Sequence, residues 1–578
     1  MFADASPSTA RGPAFASLRR IPLVGTPPGA RLPQPGVFMP RSRAIAKLST
    51  LILSLFAASC GSASTPTAPA GGGSTSGGAF GSGAGGGASG ASGAVGGALG
   101  ASAAGGAVAG ALGASGAANG GAGSGGMGVG KAGTGGGGAL GNETAGASST
   151  GMGGGGGAIN QTACSSGSAQ AGDVTVSLSS LQQKISGFGV SSAWAGSYRN
   201  ASDADFLWST TKGAGMSLLR IRYGDGLAIA KSAAASGVKV WMTPWGTGTN
   251  GAQGGSYTTT QTNPNGCKTG SMPVLTNPSG LASALVTWVQ NAKSQGVPIY
   301  AVSAENEPDS CGINSTTSYS AAQLATWIET LGPAMAAIDV KVMGPETQNW
   351  YGFPSYFTAI QSDALAYKYV SIFAGHRYGL GPDSSNAAVV AANKAIAADS
   401  SKEYWQTEVD TGTASGDSSG DGIGSALLMA KQMHADLTVV NLNAWHLWWV
   451  YNASGNGGCL YDTSTNTWTK RLWVMGNFSR FVRPGYTRVA TSGTVPSGVL
   501  LTAYKDPATG TVVMVAINNN TSATPVSLFV SGAAPCTVTP WVTSASDNLA
   551  EKSPITVSNA RFSASLPAQS VTTFVGKP

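Results

Sequence analysis

The sequence predicts an α/β protein: a (β/α)8 barrel of the TIM type carrying a side β-sandwich, behind a signal-bearing leader and a glycine-rich tether. Three observations predict it. Eight apolar runs of strand type recur between helical segments over about 290 residues, the repeat of a parallel barrel. From Pro484 the pattern changes to short alternating strands separated by Gly, Pro, Asn and Asp, as in an antiparallel sandwich. And 41 of the 86 glycines fall in residues 61–160, which hold only two charged side chains, Lys131 and Glu143. Such a composition buries too little apolar surface to offset its conformational entropy, so it is expected to be a disordered linker.

Residues 1–60 read as the leader. They carry seven positive side chains and one negative, net +6, so the remaining 518 residues account for only 7 − 6 = +1 of the total charge. The basic pI therefore describes the leader, and a nucleic-acid-binding surface is excluded. Arg41, Arg43 and Lys47 form a basic n-region before the apolar run Leu48–Phe56, which is too short to span a bilayer. Ala57-Ala58-Ser59-Cys60 follows, in the manner of a bacterial lipobox with Cys60 as the lipidated residue; an ordinary cleaved signal is the alternative. Export to the cell surface or outer membrane by a lipid on Cys60, or secretion otherwise, is the expectation. Met39 stands just before this n-region, so translation from that residue is a second possible start.

The linker extends over 61–171, and the alternating stretch Asp173–Leu178 predicts a strand in 172–184. Lacking a βα partner, that strand is assigned to the sandwich. The barrel occupies 185–483, with strands expected at Lys184–Val190, Ser217–Tyr223, Val238–Pro244, Pro298–Ala304, Val340–Pro345, Tyr369–His376, Lys402–Val409 and Thr438–Trp449. Helical spacing marks Ser279–Gln295 and Ser320–Ile338 between them. The sandwich takes 484–578, with strands such as Thr511–Ile517, Val526–Val530, Thr537–Val542 and Ser570–Val575.

In a parallel barrel, chemistry is read from the C-terminal ends of the strands. The fourth expected strand ends in Asn306-Glu307-Pro308 and the seventh in Glu408. They are 101 residues apart, close to three repeats, so two of the chain's eight glutamates arrive at one mouth from across the barrel. Two carboxyl groups facing across a sugar-sized gap suit glycoside hydrolysis, one protonated to release the leaving oxygen and one ionised to attack the anomeric carbon. Each glutamate taken alone is equally an ion-pair partner for Arg220 or Arg222. Glu305 shares the parity of Glu307, and alternation does not separate the two. Glu346, at the end of the fifth strand, reads as a structural group or a substrate contact. None of the fourteen tryptophans precedes Trp194. Trp194, Trp245, Trp448 and Trp449 fall at strand ends, where flat rings stack on pyranose faces. The polar, glycine-rich stretch Asn250–Asn265 reads as a cleft wall.

Five cysteines follow Cys60, with no zinc-type spacing. In an exported chain Cys267 and Cys311 are the expected disulfide, Cys164 with Cys536 a second, and an odd count leaves at least one thiol free or paired to another molecule.

Residues 185–484 resemble glycoside hydrolase family 30, in the clan A of retaining β-glycosidases. The resemblance is carried by Ile185-Ser-Gly-Phe-Gly189, Leu218-Leu-Arg-Ile-Arg222, Val240-Trp-Met-Thr-Pro-Trp245 and Ile299–Asp309. It continues through Gly375-His-Arg-Tyr-Gly379, Trp405-Gln-Thr-Glu408, Trp448-Trp449, Lys470-Arg471 and Phe478–Gly485. It implies double displacement without metal or organic cofactor. Glu307 matches the acid/base, Glu408 the nucleophile, and Asn306 the asparagine that binds the sugar 2-OH. Arg220 matches the arginine that holds the nucleophile ionised, and His376 or Tyr378 would position it; for His376 a satisfied core histidine is the alternative.

The resemblance is greatest to the family's bacterial xylanase branch, which implies an endo-β-1,4-xylanase acting on a polysaccharide as a monomer. Members that require glucuronate read it with an arginine shortly after the eighth-strand tryptophans. Trp449–Asn456 contains none, so strict glucuronate dependence is not expected. Gly246-Thr-Gly-Thr249 also departs from the branch. A β-1,6-glucanase or β-1,6-galactanase, or another β-glycosidase, remains an alternative, as does a non-catalytic carbohydrate-binding surface lipoprotein.

Overall fold

The structure, a computed structural model of the 578-residue chain, describes residues 164, 166–245, 257–262, 264–267, 271–311, 316–381, 386–417, 419–452 and 458–577. The leader with Cys60, nearly all of the tether, Gly246–Thr249 and 453–456 lie outside the described residues.

The first strand, β1 (Val174–Lys184), does not enter the barrel. It pairs antiparallel with β15 (Thr487–Ser492) and parallel with β18 (Thr524–Ser531) of the C-terminal sheet. The barrel strands then follow: β2 (Gly187–Ser191), β3 (Leu218–Arg222), β4 (Lys239–Thr243), β7 (Ile299–Ser303), β8 (Lys341–Thr347), β9 (Val370–Gly375), β10 (Glu403–Gln406) and β11 (Ala444–Leu447). All are parallel and close in that order, with β11 beside β2. Between β4 and β7 lies a hairpin of β5 (Thr258–Thr262) and β6 (Ser271–Leu275). Part of the stretch expected to be cleft-wall loop is therefore strand, in keeping with its four threonines.

Alternation along each barrel strand decides what fills the interior. Leu218, Trp241, Ala301, Met343, Ile372, Trp405 and Ala444 form one internal cluster, with Trp241 and Trp405 packed at 6.3 Å. Two residues further along, on the same face, come Arg220, Thr243 and His446, all fully buried. The opposite faces carry Leu219, Val240, Val302, Val342, Phe373 and Trp445 to the surrounding helices. The helices at Pro278–Ser294 and Ala321–Ala336 lie within a residue or two of expectation. The first starts on an Asn277 cap with Pro at its first position, the second on a capping box of Ser320 and Gln323. Gly237 and Gly296 take positive φ where helix gives way to strand.

Three expected boundaries are corrected, the seventh strand ending at Gln406 and not at Val409, so that Glu408 lies two residues beyond it. The run beginning at Lys184 is strand only from Gly187, because Lys184 ends β1 and pairs with Thr487. The eighth strand starts at Ala444 instead of Thr438: Asp436–Val440 forms a π-helical turn ended by Asn441 in the left-handed region. There the buried Asp436 carboxylate accepts from Arg377 Nε at 2.9 Å and from Trp445 Nε1 at 2.9 Å, so tertiary pairing overrides the β-branched sequence.

After β11, β12 (Trp449–Asn452), β13 (Cys459–Asp462) and β14 (Thr467–Trp468) make a small sheet. The C-terminal domain is one hydrogen-bonded path in which β1 joins β15 to β18, with β16 (Val499–Lys505), β17 (Val512–Asn518), β19 (Thr537–Thr543), β20 (Ala550–Glu551), β22 (Arg561–Leu566) and β23 (Ser570–Gly576); β21 (Ile555–Thr556) pairs with β19 off that path. It doubles back over a core that includes Val176, Met514, Leu528 and Val538, so that Phe562 of β22 meets Phe574 of β23 at 5.2 Å. Asn477, on the helix Lys470–Ser479, joins barrel to sandwich through Trp541 and Thr573. Cys164 is bonded to Cys536, and Cys267 to Cys311; Cys459 is free and buried.

Candidate active site

The chain leaves extended conformation at Ser303, and that departure builds the site. Glu307 sits at φ +48°, in the left-handed region that a non-glycine residue occupies at a cost. Its N–H donates to the Glu346 carbonyl at 2.9 Å. Asn306 and Glu307 therefore both serve the barrel mouth, although strand parity would set them on opposite faces. Glu305 is separated from them: its buried Oε1 accepts from the Asn306 N–H at 2.9 Å. Burial raises the Glu305 carboxyl to about 8.

Arg220, at the same level of the interior, is the hub. It is fully buried, and its guanidinium divides among four oxygens. Nε donates to Thr243 Oγ1 at 3.0 Å, Nη2 to Asn306 Oδ1 at 2.7 Å, and Nη1 to Glu408 Oε2. Glu346 Oε1 lies 3.0 Å from Nη2. This is the planar, multi-donor pairing that only arginine supplies. Glu408 keeps Oε1 for Tyr378, whose hydroxyl donates at 2.7 Å.

His376 bridges the other half. Nδ1 lies 3.0 Å from Glu307 Oε1 and Nε2 3.3 Å from Glu346 Oε1. Burial opposes a charge on this imidazole, but the carboxylates of Glu408, Glu307 and Glu346 prevail and raise it to about 10. Burial likewise opposes ionisation of Glu346, and there Arg220 and His376 hold the carboxyl down at about 2. Glu307 is pushed the other way, upward, by burial, against the pull of His376 and with repulsion from Glu408 and Asp309. The site thus pushes the Glu307 carboxyl towards its protonated form while arginine pairs with Glu346 and Glu408.

One oxygen of Glu307, one of Glu408 and a ring nitrogen of His376 lie within 4.8 Å of one another. Three such atoms suit a metal ion by distance alone. Both His376 nitrogens, however, are engaged by carboxylates, and an imidazolium has no lone pair to give. The donor set is that of an ion-pair network.

Of the aromatic residues expected to stack on sugar, Trp194, Trp448 and Trp449 do cluster at the mouth. Trp194 lies 6.0 Å from Trp448 and 6.4 Å from Trp449, and all three are part-exposed. Trp245 is corrected: it is 2 % exposed, and Arg220 covers its ring at 4.1 Å. Its face is taken by a cation. Trp449 also serves the fold, donating from Nε1 to the Ala193 carbonyl.

Sequence reasoning missed the part played by Glu346. The register of β8 against β9 shifts between Pro345 and Thr347, and Glu346 takes φ +55°. That irregularity turns its side chain into the site, and nothing in a two-residue periodicity announces it. Asp309 was also unremarked; it accepts from the Gln348 N–H at 2.8 Å and so pins the loop after β8 beside Glu307. The Cys267–Cys311 bond closes the same wall from the other side, four residues beyond Glu307.

Comparison with known proteins gives a consistent set. Residues 485–574 match the model of the glycosyl hydrolase family 30 β-sandwich domain. The chain is 29 % identical over 420 residues to the glucuronoxylanase XynC of Bacillus subtilis strain 168, covering 70 % of this chain and 92 % of that protein. The crystal structure of a GH30 endoxylanase from Clostridium papyrosolvens C71 superposes with a TM-score of 0.60 at 30 % identity, over 70 % of this chain and 100 % of that one. The subfamily 8 xylanase Xyn30A of Clostridium acetobutylicum does so with a TM-score of 0.58 at 31 % identity, over 71 % and 100 %.

Proposed function

Since the chain belongs to glycoside hydrolase family 30, and is thereby a retaining glycosidase, we propose that it is an endo-β-1,4-xylanase in which Glu408 is the nucleophile and Glu307 the acid/base. The observation that carries the assignment is the approach of the two carboxyl groups to within 4.8 Å, oxygen to oxygen. Retention follows from the family, and in retaining enzymes the two carboxyl groups stand close, about 5–5.5 Å apart, so that one attacks the sugar directly.

In the first half-reaction a Glu408 oxygen bonds to the anomeric carbon as the glycosidic C–O bond breaks. The leaving oxygen takes the proton of Glu307. In the second, Glu307 draws a proton from water, the water oxygen attacks the same carbon, and the ester to Glu408 breaks. Asn306, fixed by Arg220, faces the sugar 2-OH, where a contact that tightens in the transition state is worth most.

The xylan assignment is supported by the names of the relatives at 30–31 % identity. One relative is a glucuronoxylanase, but Trp449–Asn456 of this chain lacks an arginine, so cleavage does not depend on glucuronate. Further parts of the proposal are export by the segment Arg41–Cys60 and anchoring through a lipid on Cys60, with the enzyme acting as a monomer.

The test is a product profile on glucuronoxylan, linear arabinoxylan, β-1,6-glucan and β-1,6-galactan. Xylo-oligosaccharides from both xylans, abolished in Glu408→Gln, are expected. Products only from a β-1,6-linked polymer would overturn the xylan assignment, and undiminished activity in Glu408→Gln would overturn the nucleophile.

A further inference from the structure

A buried carboxylate that no bond-making step uses lies between the two that react. Glu346 Oε1 is 3.0 Å from Arg220 Nη2 and 3.3 Å from His376 Nε2, and Oε2 accepts from Thr243 Oγ1 at 3.0 Å. Arg220 also holds Glu408, and His376 also holds Glu307. Glu408 Oε2 is also 3.8 Å from His376 Nε2, so both cations share Glu346 and Glu408; of these two anions Glu346 is the one that forms no bond to sugar.

We propose that Glu346 is a positioning residue that lets Glu307 change protonation state between the two half-reactions while the buried site keeps its net charge. The inference rests on the roles of Glu307 and Glu408 given above. In the free enzyme, guanidinium and imidazolium face two carboxylates, Glu346 and Glu408, and Glu307 holds its proton. Once Glu408 has become a neutral ester and the leaving oxygen has taken the proton, the two cations face Glu346 and Glu307. The count is two against two in both states. One negative charge has moved from one carboxyl group to the other, and Glu346 supplies the charge that stays. In an interior of low dielectric, an uncompensated charge at either stage would be costly.

Without Glu346, two cations would face a single carboxylate in the free enzyme and would draw off the Glu307 proton before it could be delivered. The other titratable groups near the pair do not replace it. Asp309 adjoins Glu307, and Glu305 faces Glu346; burial favours the protonated form of both. Tyr378 lies on Glu408 as a neutral donor, and His446 is kept neutral by burial.

The test compares kcat/KM against pH for wild type, Glu346→Gln and Glu346→Asp on an unsubstituted xylo-oligosaccharide. The alkaline limb should move about one pH unit lower in the Gln variant and stay in place in the Asp variant, since removing one nearby negative charge lowers the pKa of an adjacent acid. A Gln variant that is folded and slower, with its limb where the wild type has it, would overturn the inference and leave Glu346 a structural role. A second measurement is carbon-13 titration of the Glu307 carboxyl, in the free enzyme and in the 2-fluoroglycosyl-enzyme, for wild type and Glu346→Gln. A lower pKa in the free Gln variant than in the free wild type is expected, and equal values would overturn the proposal. Failure of the wild type to cleave any xylan, or labelling by the fluoroglycoside at a residue other than Glu408, would instead overturn the reading of the site itself.

Discussion

Tyr378 donates to Glu408 Oε1 at 2.7 Å while Arg220 holds Oε2, so each oxygen of the carboxylate has its own donor. The two donors are not equivalent. Arginine brings a positive charge to the carboxylate, whereas the hydroxyl only fixes its rotation.

Tyr378→Phe should therefore reduce kcat on xylan about 10- to 100-fold and leave KM within about threefold, the loss expected for one neutral hydrogen bond in a desolvated site. Steady-state kinetics on a defined xylo-oligosaccharide check this. A KM effect larger than the kcat effect would show that Tyr378 binds substrate instead of orienting Glu408.

Arg220→Lys should be far more damaging than its conserved charge suggests. A single ammonium cannot serve Thr243, Asn306, Glu346 and Glu408 together. A fall in kcat/KM of about 1,000-fold or more, with a folded protein by circular dichroism, is the expected outcome.

The acid limb and the alkaline limb of the pH profile should report different carboxyl groups. Burial raises Glu307 above the ordinary glutamate value of 4.5. Its proton is then present at higher pH, and activity should fall only as pH rises through that elevated value. In Glu307→Ala, an activated aryl β-xyloside should still be cleaved. Added azide should then trap the β-glycosyl azide, because Glu408 still forms the intermediate and azide attacks the face that the leaving group left. An α-azide would mean that the two roles are exchanged.

Glu305 should make the wild type less stable as pH rises. Its folded value of about 8 lies above the ordinary 4.5, so above pH 4.5 the unfolded chain loses a proton that the fold retains. Stability contributed by the neutral carboxyl is present below pH 4.5 and is lost as pH climbs towards 8. Glu305→Gln keeps an oxygen for the Asn306 N–H and removes the ionisation. Its unfolding midpoint in urea should change less between pH 5 and 8 than that of the wild type. Parallel midpoints would show that Glu305 is already ionised in the fold.

The eight strands and the opposed pair Glu307 and Glu408 were legible because both rest on regular spacing: apolar runs at a steady repeat, and acids where those runs stop. The neighbourhood of the pair was less so, wherever regular spacing fails. Glu346 enters the site through an extra residue in β8 and a left-handed φ, and Asn306 through a chain that has already left its strand. Trp245 looked like a sugar platform because its position at a strand end was visible and its cover, Arg220 from the neighbouring strand, was not. The β-branched Thr438-Val439-Val440 lies in a π-helical turn, because the buried pairing of Asp436 with Arg377 and Trp445 fixes the backbone beside it.

The strand that begins the described fold has a mechanical consequence. β1 is inserted between β15 and β18, and Cys164, ten residues ahead of it, is bonded to Cys536. A pull on anything N-terminal to Cys164 thus passes into the sandwich through a covalent bond before it meets β1 or the barrel. If the chain is tethered to a surface while its substrate is a long, immobile polymer, drag between the two enters the fold at the side domain, at a covalent bond and not at a strand that can be peeled away.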